Sequence, residues 1–157
     1  MTKNLFSPDF RDFLNALNQH EVDYILAGGY SVILHGYNRN TGDLDVWVHP
    51  TLANYRRLKA AFYTFGMPLF DMTEEKFLNT DEYDVFTFGI PPTAIDLMTS
   101  HKGLDFESAF KNSYLKETDN LQVRLIHLED LIHAKRIIGR SKDLNDVENL
   151  LEKPSEE

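Results

Sequence analysis

The chain has 157 residues, of which 42% are hydrophobic and 12% aromatic, and it contains no cysteine. This length suits one domain, the apolar content excludes a disordered chain, and the lack of cysteine excludes disulfides, thiolate zinc sites and a cysteine nucleophile. The net charge of −9 opposes a nucleic-acid-binding surface spread over the whole molecule, because phosphate contacts need clustered lysine and arginine.

The sequence also predicts where the protein resides and how it is divided. No apolar run approaches the roughly 18 residues that a membrane span needs, and the first residues lack the apolar segment of a signal peptide. We therefore expect a soluble, cytoplasmic protein without a membrane partner. Residues 1–153 are predicted to form one domain with C-terminal helices, and residues 154–157 a frayed tail.

The N-terminal half is predicted to contain three helices and two strands. Apolar spacing indicates helices at residues 7–19, 30–35 and 52–65, and strands at residues 24–27 and 44–48. Ser7 is expected to cap the first helix, and the third is expected to end at Gly66.

The C-terminal half is predicted to contain further helices at residues 73–79, 104–112, 128–139 and from Ser141 onward. Residues 83–88 and 94–98 are predicted as antiparallel strands, and residues 114–126 as a hairpin with Asp119-Asn120 in its turn. The last helix is expected to carry an apolar stripe of Leu144, Val147, Leu150 and Leu151. This pattern predicts an α+β fold, in which a small mixed β-sheet has helices packed mainly on one face.

Two aspartates at the start of a strand form the centre of the candidate site. Asp43 and Asp45 are two residues apart, so both side chains face one side of a strand. Two converging carboxylates can bind a hard divalent cation such as Mg²⁺ through oxygen. The Asp-x-Asp pair alone is expected about once by chance in a chain of this composition, and it can equally be a solvated turn.

A Gly-Gly pair before these aspartates makes the pattern more specific. Gly28 and Gly29 follow a buried strand and precede a helix, so backbone N–H groups and the helix N-terminus can approach an anion closely. Ser31 can add a hydroxyl donor to phosphate. A tight strand-to-helix turn explains the same glycines, and both interpretations can hold together.

A third carboxylate, Asp96, lies in an otherwise apolar predicted strand. A charge there is costly unless it is paired or bound to a metal. If this strand neighbours that of Asp45, three carboxylates meet, and one of them can also take a proton from an attacking hydroxyl. The alternative is an aspartate on the solvated face of the sheet.

These residues together resemble the signature of the DNA polymerase beta-type nucleotidyltransferase superfamily. That signature is Gly-Gly or Gly-Ser after a hydrophobic residue, followed by two acidic residues that flank a hydrophobic one. The string from Gly28 to Ser31, then His35-Gly36 and Arg39-Asn-Thr-Gly-Asp-Leu-Asp45, is similar to small stand-alone bacterial members. These include uncharacterised nucleotidyltransferases and relatives of the abortive-infection toxins.

The resemblance implies a fold like the polymerase beta palm and an enzyme that moves a nucleoside monophosphate from an NTP, such as ATP, to an acceptor hydroxyl. It implies that Asp43 and Asp45 bind two metal ions, Mg²⁺ or Mn²⁺, and that Asp96 binds the catalytic one. The acceptor stays open between a small molecule, a tRNA and a protein, and a partner protein or homo-oligomer can complete the site. An inactive relative that binds a nucleotide or a partner, as in a toxin–antitoxin pair, is the alternative, and a metal-dependent phosphohydrolase is a third.

A basic helix near the C-terminus supplies candidate phosphate contacts. At about 100° per residue, Lys135 falls in the middle of the apolar stripe of its helix. Either its stem reaches along the apolar surface to solvent, or its amine enters a phosphate site. The segment from Lys135 to Asp146 is similar to a motif of the toxin-like relatives, in which a helix lysine and a later aspartate bind the nucleotide. Arg39 is either a phosphate or acceptor contact or a partner for the excess carboxylates, and Trp47 either packs beside Asp45 or stacks on a base.

Overall fold

A computed structural model describes residues 4–152 of the chain. The strands are β1 (Tyr24–Ala27), β2 (Leu44–Val48), β3 (Val85–Phe88), β4 (Ile95–Met98), β5 (Tyr114–Thr118) and β6 (Leu121–Leu125). The helices are α1 (Pro8–Gln19), α2 (Gly28–Leu34), α3 (Leu52–Phe65), α4 (Glu74–Leu78), α5 (Phe106–Asn112), α6 (Leu128–Ile138) and α7 (Ser141–Glu152). The predicted tail at residues 154–157 lies outside the described residues, and none of the described helices could cross a membrane.

The six strands form one mixed sheet in the order β3-β4-β2-β1-β6-β5. β1 is antiparallel to β2 and parallel to β6, and the outer pairs β3–β4 and β5–β6 are antiparallel. β2 and β4 are parallel, with Asp45 and Asp96 as register partners. The predicted α+β class and mixed sheet are therefore confirmed, and the strand of Asp96 is the direct neighbour of the strand of Asp45.

Alternation along the strands divides their side chains between two hydrophobic cores on opposite faces. Leu44, Val46 and Val48 of β2 belong to the larger core, which also contains buried residues of α1, α3 and α4. Ile25 and Trp47 belong to a smaller core with residues of α5, α6 and α7. The sequence predicted helices mainly on one face, and the structure adds this second layer, on the face that carries Asp45.

Several local signals act as predicted. The Ser7 hydroxyl accepts a hydrogen bond from the Phe10 amide and caps α1, and Gly66 ends α3 in the left-handed conformation. Asp119 and Asn120 both have positive φ, as a two-residue hairpin turn requires.

Two helices differ from the prediction. α2 begins at Gly28 rather than at residue 30, because the glycines form the first turn of the helix itself. In α7, Val147 and Leu150 are buried as predicted, whereas Leu144 and Leu151 are 49% and 58% exposed. Asp143 and Asp146 are buried instead, on the side of α7 that contacts Lys135 of α6.

The orientation of α7 can be tested with two equivalent substitutions. Leu150→Ala removes a side chain that is 3% exposed, and we expect it to lower the free energy of unfolding by about 2–5 kcal/mol. Leu144→Ala is the matched control on the same helix and should change it by less than about 0.5 kcal/mol. Chemical denaturation of both variants measures the difference, and equal costs would contradict this orientation.

Candidate functional site

A cleft with a volume of about 1070 Å³ lies between the sheet and the α6–α7 pair. Seven of the eight residues predicted for the site line its walls, namely Gly28, Gly29, Arg39, Asp43, Asp45, Asp96 and Lys135. The tertiary structure thus brings together residues that lie more than 100 positions apart in the chain.

Asp43 and Asp96 each accept a hydrogen bond from a neighbouring segment of the chain. The Ala94 amide, just before β4, donates a hydrogen bond of 2.9 Å to Oδ1 of Asp43. The Thr87 hydroxyl on β3 donates one of 2.7 Å to Oδ1 of Asp96. Oδ2 of each carboxylate takes no part in these two hydrogen bonds.

Asp45 lies in the most unusual environment of the three. The pKa of Asp45 is raised to about 7, mainly by burial and then by the neighbouring carboxylates of Asp96 and Asp43, while Lys135 opposes the shift. Negative charge is therefore concentrated at this point, and a proton or a cation relieves the repulsion.

These carboxylates have the chemistry of a site for a divalent metal ion. Carboxylate oxygens are the donors that Mg²⁺ prefers, so the adjacent pair of Asp45 and Asp96 fits a divalent cation. Across residues 4–152, however, no three acidic or histidine side chains form a ready-made metal cluster. The roles of Asp43, Asp45 and Asp96 as metal ligands stay a prediction.

The two glycines allow the chain to pack closely upon itself. Gly28 has φ +66°, and a Cβ placed there would lie 2.0 Å from Oδ2 of Asp45. A Cβ on Gly29 would lie 2.0 Å from the Thr41 hydroxyl oxygen. These contacts support the tight-turn interpretation, because the space beside the glycines is filled by Asp45 and Thr41.

Ser31 does not line the cleft. Its side chain is fully buried, and its hydroxyl donates a 2.6 Å hydrogen bond to the Gly28 carbonyl. The predicted hydroxyl contact to phosphate is not supported by this geometry, since Ser31 instead closes the first turn of α2.

Three basic side chains are bound by two buried aspartates of α7, and we call this set the α7 ion network. Arg39 makes a bidentate contact with Asp146, at 2.7 and 2.9 Å. Lys135 lies 3.0 Å from Asp146 and 3.3 Å from Asp143, and Arg140 contacts Asp143 at 2.6 and 3.2 Å.

The α7 ion network shows how two of the candidate site residues are paired. Arg39 is a partner for a carboxylate, and its contact with phosphate or acceptor stays a prediction. Lys135 is only 7% exposed, and its amine is paired with Asp143 and Asp146 in the wall of the cleft. The sequence did contain a signal for this, because Asp143 and Asp146 share the helical spacing of Val147 and Leu150 and complement the lysine in the apolar stripe of α6.

The ionised form of both network aspartates is favoured. Burial alone raises the pKa of Asp143 and of Asp146, but hydrogen bonds from Arg140, Arg39 and Lys135 outweigh it and hold both pKa values below their ordinary range.

Trp47 packs beside the site and does not face a ligand. Its side chain is 1% exposed, and its ring meets those of Phe106 and His101 edge-on at 5.2 and 5.4 Å. Packing is therefore the correct one of the two interpretations of this residue.

Comparison with known proteins identifies the family and the fold. A family model described as a nucleotidyltransferase of unknown function (DUF6036) matches residues 9–151. A structure from Thermotoga maritima, assigned as a nucleotidyltransferase, has a TM-score of 0.55 at 15% identity and covers 94% of this chain and 96% of its own. The lincosamide antibiotic adenylyltransferase LnuA, with lincomycin bound, has a TM-score of 0.50 at 13% identity and covers 96% and 99%. An antigenic nucleotidyltransferase-like protein from Paracoccidioides brasiliensis has a TM-score of 0.50 at 14% identity and covers 91% and 74%. No curated protein matches the sequence.

The α7 ion network predicts a specific pH dependence of stability. Because the folded pKa of Asp146 is lowered, its stabilising effect is present above the ordinary aspartate pKa of about 4 and is lost as pH falls through the folded value. Asp146→Asn leaves Arg39 without its carboxylate partner and Lys135 with Asp143 alone, so we expect it to cost about 3–5 kcal/mol at pH 7 and progressively less below about pH 4.

Denaturant unfolding between pH 3 and pH 7 measures this difference. Asp71→Asn is the control, since its carboxylate is 82% exposed, and it should have an effect below about 0.5 kcal/mol at every pH. A cost of Asp146→Asn that does not change with pH would show that the ionised carboxylate is not what stabilises the fold.

Proposed function

Because the chain belongs to this family of nucleotidyltransferases, we propose that it transfers a nucleoside monophosphate from an NTP, such as ATP, to an acceptor hydroxyl. The observation that supports the proposal is the pairing of Asp45 with Asp96 on adjacent parallel strands, in the wall of a large cleft. The raised pKa of Asp45 adds to this, because perturbed carboxylates in a cleft are typical of functional sites.

The proposed reaction assigns a separate task to each carboxylate. Asp43 and Asp45 would bind two Mg²⁺ or Mn²⁺ ions and Asp96 the catalytic one, and the metal when bound would neutralise phosphate charge. Asp96 takes the proton of the acceptor hydroxyl. The acceptor oxygen then bonds to the α-phosphorus, the bond from that phosphorus to the bridging oxygen breaks, and pyrophosphate leaves.

We propose a small molecule or a protein hydroxyl as the acceptor, in preference to tRNA. The formal charges of the five aspartates and five basic side chains that line the cleft cancel, but the whole chain has a net charge of −9, which opposes binding of a large polyanion. A small acceptor is also what the name of the lincosamide adenylyltransferase describes for that protein. A cytoplasmic location, and a partner protein or homo-oligomer that completes the site, stay predictions.

A second candidate function is that of an inactive relative that binds a nucleotide or a partner protein. One observation favours it. The space beside the glycines is filled by Asp45 and Thr41, and Arg39 and Lys135 are already paired, so the site is not open to phosphate in the predicted way.

Nucleotide binding is the first test of the proposed transferase. We expect calorimetry to show Mg²⁺-dependent binding of at least one NTP by the wild type, and at least tenfold weaker binding by Asp45→Asn and by the double variant Asp43→Asn/Asp45→Asn. Binding should weaken because these substitutions remove carboxylates that would hold the metal. Asp45→Asn should keep the melting temperature, since it removes a carboxylate that burial already disfavours as an anion.

Turnover then tests the enzyme itself. With a productive acceptor, Asp96→Asn should slow pyrophosphate release by about 10²–10⁴-fold, the usual contribution of a general base. Asp71→Asn, remote from the cleft, is the control for both assays. A folded wild type that binds no NTP would contradict the transferase and favour the partner-binding relative.

A further inference from the structure

The basic side chains of the cleft fall into two groups. Five of them line it, and three of these, Arg39, Lys135 and Arg140, belong to the α7 ion network. The other two, Lys102 and Lys142, are exposed and have no carboxylate within 4.0 Å in the part of the chain that the structure describes. The cleft therefore has two cations that are not already neutralised.

These two lysines come from different walls of the cleft. Lys102 lies in the turn after β4, which continues the strand of Asp96 and is closed by a bridge between His101 and Leu104. This turn rests on α6, since Gly103 approaches the side chain of Ile137 so closely that a Cβ would lie 2.8 Å from it. Lys142 lies in the first turn of α7. One lysine thus comes from the sheet side and the other from the helical side.

The network cations are poor candidates for a phosphate contact. If Lys135 turned to a ligand, Asp143 and Asp146 would lose a partner while 1% exposed, and a buried charge without its partner is strongly unfavourable. The same holds for Arg39, which makes a bidentate contact with the buried Asp146. Lys102 and Lys142 lose no such contact when they bind an anion.

We propose that Lys102 and Lys142 hold the triphosphate of the donor nucleotide, and that Arg39 and Lys135 keep the cleft in shape without contacting it. This inference rests on the proposed function. Five aspartates and five basic side chains line the cleft, so their formal charges cancel, and three of those cations are already paired in the α7 ion network. A triphosphate brings several further negative charges, so it needs unpaired cations besides the metal. Each lysine carries a compact charge on a flexible stem, so it can reach a phosphate group in the cleft without moving the backbone.

The test compares ligands that carry the triphosphate, the nucleoside monophosphate alone, or both. Binding of Mg²⁺-ATP, AMP and inorganic tripolyphosphate to Lys102→Met and Lys142→Met is measured by calorimetry. We expect each substitution to weaken ATP and tripolyphosphate binding about tenfold, as the loss of one charged hydrogen bond does, and to leave AMP binding nearly unchanged. Lys59→Met, an exposed lysine on α3, is the matched control and should bind as the wild type does.

The melting temperature separates the two groups of cations. Lys135→Met should lower it markedly, because two buried aspartates lose their shared partner, whereas Lys102→Met and Lys142→Met should not. A double variant Lys102→Met/Lys142→Met that binds ATP like the wild type overturns the inference, and so does an equal loss for AMP and ATP. A wild type that binds no NTP at all instead overturns the proposed function, so the two failures are distinguishable.

Discussion

The architecture of the cleft depends on the need to neutralise charge away from water. Asp143 and Asp146 are buried on α7, and burial of a carboxylate is tolerated only with cations and hydrogen bonds around it. Their partners come from three segments, namely Lys135 on α6, Arg140 at the turn to α7 and Arg39 in the connection between α2 and β2. The α7 ion network therefore fixes the helical wall of the cleft and the loop that leads to Asp43.

The network also affects the carboxylates across the cleft. Three cations against two aspartates leave an excess of one positive charge, 3 − 2 = +1. Lys135 opposes the rise in the pKa of Asp45, so part of that excess acts on the candidate catalytic centre. The structural charges and the candidate site thus form one electrostatic system, in which a substitution in either affects the other.

The candidate site was predictable wherever the signal was local. Alternation along β2 predicted that Asp45 and Val46 face opposite sides of the sheet, and the apolar neighbours of Asp96 indicated a strand within the sheet. Asp45 and Asp96 both line the cleft, as expected. Ser31 and Lys135 were candidate phosphate contacts, and in the structure both bind acceptors of the protein itself, for one reason. A hydroxyl or an amine binds whichever acceptor folding brings nearest, and those acceptors are the Gly28 carbonyl and the α7 aspartates.

The sequence by itself determined the strands, most helix boundaries, the family signature and the spacing of its carboxylates, because each follows from periodicity or turn chemistry within a few residues. Only the tertiary structure decided that β2 and β4 are parallel neighbours, that helices cover both faces of the sheet, and which cations are neutralised. Arg39 and Asp146 are 107 residues apart in the chain. Their pairing depends on how α7 docks, and docking is governed by the summed burial of both cores and not by any local pattern.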